Sequence, residues 1–295
     1  MKIRIGIGSD EVHAAPGSFT ATVDQLEAAG VDSLWLSEIV YSPQVEPFIG
    51  MAHALARTTR LKVGTGVAVL PGRHPVLVAK QLATLAGLAP GRVLPVFGLR
   101  PARRRERVLF PVAAGRRAAL FDESLRLLRR LLAEDEVSFD GEFHTLDGAT
   151  IGPRPAKPLD IWLGGSAPSA LRRVGRLGDG WLASFLTPEE TRRGRRTIEA
   201  AAAEAGREVE ADHYGISIAV ADGDIPARLV STVRERRPDT DPAEVVPTSW
   251  RAARDLINRH IDAGLTKFVV RPAGSARSFR EFLDRFTEEL LPLQN

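Results

Sequence analysis

Eight short apolar runs, each followed by a stretch of helical periodicity, are the feature that most restricts how this chain can fold. The runs cover 3–8, 33–37, 61–69, 92–97, 161–163, 180–184, 214–221 and 267–270. Helical spacing fills 17–29, 46–58, 75–88, 116–134, 167–177, 188–205, 226–236 with 249–263, and 278–291. In the first of these stretches, Phe19, Val23, Leu26 and Ala29 share one face and Gly30 ends it. Strands that alternate with helices make a parallel sheet, because each parallel crossover needs a long connection. Eight strands are the number that closes a barrel, and a (β/α)₈ barrel needs roughly 250 residues. The 295 residues therefore read as one α/β domain, a TIM barrel spanning 1–295. The competing arrangement is an open, doubly wound sheet, but no G-x-G-x-x-G follows the first strand.

One departure from the alternation precedes the fifth strand. Val137 to Leu146 places Asp140-Gly141 between two short alternating runs, the signal of a tight β-hairpin. This small insertion between the fourth helix and the fifth strand is expected to reach over the barrel mouth.

Composition narrows the function. There is no Cys, so disulfides, thiolate metal sites and a catalytic thiol are excluded. The six histidines lack ligand spacing, and no metal is expected. With 40 basic and 37 acidic residues the net charge is +3, and no nucleic-acid-binding motif is present. Strand-like sequence starts at Ile3 and no apolar run approaches the roughly 18 residues of a membrane span. A cytoplasmic enzyme acting on a small molecule is expected, without membrane or nucleic-acid partners.

Several segments in order resemble the luciferase-like monooxygenase superfamily, above all its coenzyme F420-dependent branch. They are Asp32 to Glu38, Leu61 to Pro71, Arg73-His74-Pro75, Ala83-Thr84-Leu85, Pro90-Gly91-Arg92, Phe139 to Phe143, Ile161 to Ser166, and Gly178-Asp179-Gly180-Trp181. The resemblance runs from about residue 3 to 290. It implies a barrel that binds the deazaflavin F420, or alternatively FMN, and that assembles as a homodimer.

The resemblance also implies site residues. Gly66-Val67 matches a strand bulge with a non-proline cis peptide beneath the flavin ring, and the glycine is expected to avoid a Cβ clash. Gly98, ending the fourth strand, is a further cofactor contact. Gly164, Gly165, Ser166 and Ser169 match a phosphate loop at a helix N-terminus, where free N–H groups and the helix dipole attract anions. The residues alone leave open that Ser166 simply caps the helix. Arg271, read as following the eighth strand, suits phosphate or an ion pair across the mouth. Arg100, Arg103, Arg104 and Arg105 form either a solvated loop or a basic rim for an anionic cofactor.

Glu38 and His13 are the catalytic candidates. Many relatives carry an acidic residue followed by a proton-transferring His where this chain has Glu38-Ile39. Alcohol oxidation needs a base, so Ile39 favours reduction of an activated double bond. His74, just ahead of Pro75, reads as a helix-start residue. Three functions compete: an F420-dependent oxidoreductase, an FMN-dependent monooxygenase, and a catalytically idle flavin-binding barrel.

Overall fold

The computed structural model describes residues 2–9, 13–274 and 278–295. Its strands are β1 (Arg4–Gly8), β2 (Ser33–Leu36), β3 (Lys62–Thr65), β4 (Ala68–Val69), β5 (Val93–Leu94), β6 (Val96–Gly98), β7 (Val137–Asp140), β8 (Thr145–Ala149), β9 (Trp162–Gly164), β10 (Gly180–Ser184), β11 (Tyr214–Val220) and β12 (Lys267–Pro272). The helices are α1 (Pro16–Ala28), α2 (Pro47–Arg57), α3 (Pro75–Leu88), α4 (Arg117–Ala133), α5 (Pro168–Leu177), α6 (Pro188–Glu204), α7 (Ala227–Arg236), α8 (Pro242–Val245), α9 (Trp250–Asp262) and α10 (Phe279–Glu289).

Two of the expected strands are each broken in two. The run 61–69 divides into β3 and β4 at Gly66-Val67, and the run 92–97 divides around Pro95, which has no N–H for the ladder. The ring nevertheless closes. β3 pairs with β5 and β4 with β6, so each broken strand bonds the other along both halves. The remaining parallel pairs run β6-β9-β10-β11-β12-β1-β2-β3. Counting each broken strand once, eight strands form the (β/α)₈ barrel.

The main core lies between the strands and the helices, with Ile5, Leu34, Val63, Phe97, Leu163, Ile216 and Phe268 facing outward into it. A smaller cluster fills the barrel itself: Trp35, Val96, Trp162, Leu182 and Val269, with Val67 and Leu94 against it. Glycines on neighbouring strands make room for its rings. A Cβ on Gly180 would lie 2.3 Å from the Trp162 indole, and one on Gly6 would lie 2.9 Å from Trp35 Nε1.

At the N-terminal end of the barrel, Asp32 is buried among Lys267 (3.4 Å), Lys62 (3.5 Å) and Arg4 (3.5 Å). Burial alone would raise its pKa, but Lys267 and Lys62 hold it below the usual value. Among the described residues, no helix is long and apolar enough to cross a membrane.

The insertion is a hairpin, but not the tight one expected. Asp140 pairs with Thr145 inside the ladder, and the turn is the four-residue loop from Gly141 to His144, closed by Gly141 N–H to the His144 carbonyl at 3.0 Å. The buried Glu123 on α4 explains this wider loop: its carboxylate accepts the backbone N–H groups of Glu142, Phe143 and His144 at 2.7–2.9 Å. Lys80 on α3 donates to the carbonyls of Ile151 and Gly152, just past β8. The insertion thus braces the helical layer at α3 and α4.

One buried group makes stability depend on pH. His260 on α9 is wholly buried, with Nδ1 3.1 Å from Thr191 Oγ1 on α6. Burial, with Arg259 adding to it, pushes its pKa down to about 4. The unfolded chain binds this proton below about 6.5 while the folded chain does not, so stability falls as pH falls. About 2 kcal/mol is expected to be lost between pH 6.5 and 5. Urea unfolding across that range should show a shallower slope for His260→Leu than for the unaltered protein; parallel slopes would refute the assignment.

Candidate active site

Strand periodicity sets the floor of the mouth. Two residues beyond each member of the inner cluster, the same face of the same strand presents Ser37, Gly98, Gly164, Ser184 and Arg271. Ala219 pairs in register with Arg271 from β11, and Gly8 approaches it from β1, where a Cβ would lie 3.2 Å from Arg271 Cβ. Above a layer of tryptophans and large aliphatics, the barrel therefore ends in glycine, serine and alanine. Small side chains at this level form the floor of a basin, and among the strand-end residues named here Arg271 is the charged one.

The Gly66–Val67 peptide bond is cis, as the resemblance implied. Gly66 N–H donates to the Leu36 carbonyl at 2.7 Å, and its own carbonyl accepts from Ser37 Oγ at 3.2 Å. The expected clash at Gly66 is absent, since a Cβ there would meet only Trp35 Cβ at an ordinary 3.5 Å. The crowding is at Val67 instead. A Cβ on Gly98 would lie 2.7 Å from Val67 Cγ2, and one on Gly164 would lie 3.2 Å from Val67 Cγ1. Glycines on the two neighbouring strands thus leave the space that the Val67 isopropyl group occupies.

Glu38 anchors the bulge through its C-terminal side. It is buried; Oε2 accepts Val69 N–H at 2.7 Å, and Oε1 is paired with Arg73. Arg73 in turn donates through Nε to the Val69 carbonyl at 3.0 Å and lies over the rings of Phe48 and Phe110. Burial, the largest influence, raises the Glu38 pKa despite Arg73.

The loop after β9 turns at Gly165, whose φ of 119° is a glycine conformation. Trp181 Nε1 fixes this turn by donating to the Gly165 carbonyl at 2.8 Å. Ser166 does not cap the helix. The N-cap is Ala167, and no side chain accepts from the first turn of α5. Ser169 is exposed and Ser166 half-buried beside that open helix end.

Residues 2–276 match the luciferase-like monooxygenase family. The chain belongs to that family. It is 27% identical to the F420-dependent glucose-6-phosphate dehydrogenase of Kineococcus radiotolerans, over 99% of this chain and 97% of that protein. It is 30% identical to the enzyme of the same name from Nocardia farcinica, over 82% of this chain and 81% of that one. Among solved structures, an F420-dependent secondary alcohol dehydrogenase in complex with an F420-acetone adduct matches with a TM-score of 0.84 at 20% identity, over 100% of both chains. The coenzyme F420-dependent tetrahydromethanopterin reductase from Methanopyrus kandleri matches with 0.78 at 16% identity, also over 100% of both chains. At these identities the solved structures speak for the fold.

In this luciferase-like barrel Arg271 lies within β12 rather than after it, because the strand continues to Pro272. Its side chain is half-buried. Burial, then nearby Arg236, lowers its pKa to about 10. The arginines after β6 divide into two groups. Arg103 and Arg105 both donate to the Tyr41 carbonyl, tying this loop to the one after β2, while Arg100 and Arg104 are exposed. His13 lies beyond β1 with its ring 4.9 Å from that of Phe279. His74 is the N-cap of α3, accepting Val76 N–H through Nδ1. Glu210, Asp212 and His213, the one ligand-type group found together among the described residues, precede β11 at the opposite end of the barrel.

The sequence reading missed Ser37, Arg73, Ser184 and Arg236. For Ser37 and Ser184 a signal was available: each lies two residues beyond a large residue of the inner cluster, at a strand's C-terminal end.

Proposed function

We propose that this chain is an oxidoreductase that transfers a hydride between coenzyme F420 and a small organic substrate at the barrel mouth. The observation that carries the reading is the basin of small residues above the inner tryptophans, bordered by the Val67 bulge and by the uncapped N-terminus of α5. A flat ring fits such a floor, and a phosphate fits a helix end whose N–H groups have no side-chain acceptor. Relatives named for F420 align along nearly the whole chain, which supports the deazaflavin over FMN.

When bound, the deazaflavin supplies a ring carbon that accepts or releases hydride. Val67 would support one ring face. Gly98 and Gly164 set the depth of the floor by leaving Val67 its space. Gly165 would allow the backbone close to the phosphate, and Ser166 and Ser169 would offer hydroxyl donors. Glu38 acts through Val69 and Arg73 as a positioning residue for the bulge. Ile39 holds no exchangeable proton, so the proton in this reading comes through His13 or water, which suits reduction of an activated double bond. We also propose that the chain assembles as a homodimer through α2 and α3, where Ile49 and Leu77 are 70% and 66% exposed.

Titrating the apoprotein with F420 and with FMN, read by fluorescence, tests the cofactor. Tight F420 binding with weak FMN binding is expected, and the reverse order would overturn the reading. Ser169→Ala is expected to weaken F420 binding about tenfold by removing one hydrogen bond to a charged group. Unchanged affinity in a folded variant would place the phosphate elsewhere.

A further inference from the structure

We infer that Arg271 and Arg236, brought together at the ring of Phe185, form a binding site for an oxyanion carried by the substrate, either a carboxylate or a phosphate. The inference deepens the barrel-mouth reading above and names a substrate class for it.

Three observations converge. First, the half-buried Arg271 side chain has no hydrogen-bond or ion-pair partner among the described residues, and burial lowers its pKa. A desolvated cation without a counter-charge is unfavourable in the free protein, so such an arrangement persists where a ligand supplies the charge. Second, the exposed Arg236 at the end of α7 reaches the same Phe185 ring. The two guanidinium carbons lie 5.9 Å (Arg271) and 5.7 Å (Arg236) from the centre of the Phe185 ring. Arg236 spends one donor on the Ala102 carbonyl at 3.2 Å, which leaves the others free to point elsewhere. Third, Phe185 holds the platform in an unusual backbone conformation. Its φ of 53° is the one positive value at a non-glycine among the described residues, and a bulky side chain rarely adopts it. Outliers of this kind gather at ligand sites.

The two guanidiniums repel each other, and that repulsion adds to the depression of the Arg271 pKa. An oxyanion held by both would offset this repulsion, because charge-assisted bonds from guanidinium to carboxylate or phosphate are short and strong.

Topology assigns this oxyanion to the substrate. Around the ring, β12 stands three strands from β9, whose loop leads into α5, and three strands the other way from the bulge between β3 and β4. The cofactor's phosphate and ring positions therefore border one side of the basin, and the two arginines face it from the other.

Arg271→Met and Arg236→Met, singly and together, test the site. Inorganic phosphate is the probe, with its binding to the apoprotein followed by phosphorus NMR line broadening. The unaltered protein should bind phosphate, and each single variant should bind at least tenfold more weakly. F420 affinity, read by fluorescence, should stay within twofold. Removing an unpartnered, desolvated charge should leave the unfolding temperature of Arg271→Met equal or higher. If that variant does not fold, Arg271→Lys and Arg236→Met carry the comparison. Equal phosphate binding by the unaltered protein and the double variant would overturn the inference, as would no phosphate binding by the unaltered protein. A tenfold or greater fall in F420 affinity would also overturn it, by giving the oxyanion to the cofactor. If the unaltered protein binds phosphate through these arginines but does not bind F420, the cofactor reading fails and the oxyanion site stands.

Discussion

A Gly98→Val variant is expected to fold and to lose at least about a hundredfold in F420 affinity, equivalent to about 2.7 kcal/mol. The space beside Gly98 is already occupied. A Cβ there would lie 2.7 Å from Val67 Cγ2, and the other Val67 methyl already takes up the space beside Gly164, where a Cβ would lie 3.2 Å from it. A β-branched side chain also has few rotamers to choose from. The added valine must push Val67 upward or fill the basin itself, and either outcome removes the space proposed for the ring. Stability should fall by about 1–3 kcal/mol, the usual cost of overpacking. The double variant Gly98→Val with Val67→Ala restores the missing volume, so it should recover most of the affinity. That recovery separates a steric effect at the floor from general damage to the barrel. Undiminished binding by the folded single variant would move the ring away from this floor.

Periodicity carried most of the fold. The eight apolar runs and the helical stretches between them appear as strands and helices with ends shifted by only a few residues, because each strand is buried on both faces and each helix on one. Six helices begin with proline at the first turn, namely Pro16, Pro47, Pro75, Pro168, Pro188 and Pro242. The last of these, preceded by the capping Asp241, marks the short α8 that hydrophobic spacing passed over.

What periodicity does not encode is contact between distant strands. Gly98 and Gly164 were expected as cofactor contacts by resemblance, and the closed ring shows that they leave room for Val67. Arg271 was legible as a residue at the C-terminal end of a barrel strand, but that Arg236 of α7 reaches the same Phe185 ring depends on the folded chain. The hairpin turn was misplaced for a similar reason. Asp140-Gly141 favours a two-residue turn locally, but Glu123 on α4 offers an acceptor for three N–H groups of the wider loop.

Glu38→Ala is expected to destabilise the fold by about 3–5 kcal/mol, the range found when one partner of a buried ion pair is removed. Two groups lose their acceptor together: the buried Val69 N–H, bonded at 2.7 Å, and the Arg73 guanidinium. Glu38→Gln should cost far less, about 1 kcal/mol. Its amide oxygen can still accept from Val69, a neutral hydrogen bond is worth about that much, and the burial penalty on the carboxylate disappears with the charge. The raised Glu38 pKa points the same way, since burial already outweighs the attraction of Arg73 for the ionised form. The sign also fixes a pH effect. A carboxyl whose folded pKa exceeds its unfolded value opposes folding once ionised, so its penalty grows as pH rises through the unfolded value of about 4.5. Chemical unfolding of both variants at pH 7 checks the ranking. F420 titration of the Gln variant then checks the positioning role, because the bulge should stay in place and affinity should fall less than about fivefold. A Gln variant as unstable as the Ala variant would show that the charge on Glu38, rather than its hydrogen bond to Val69, holds the bulge.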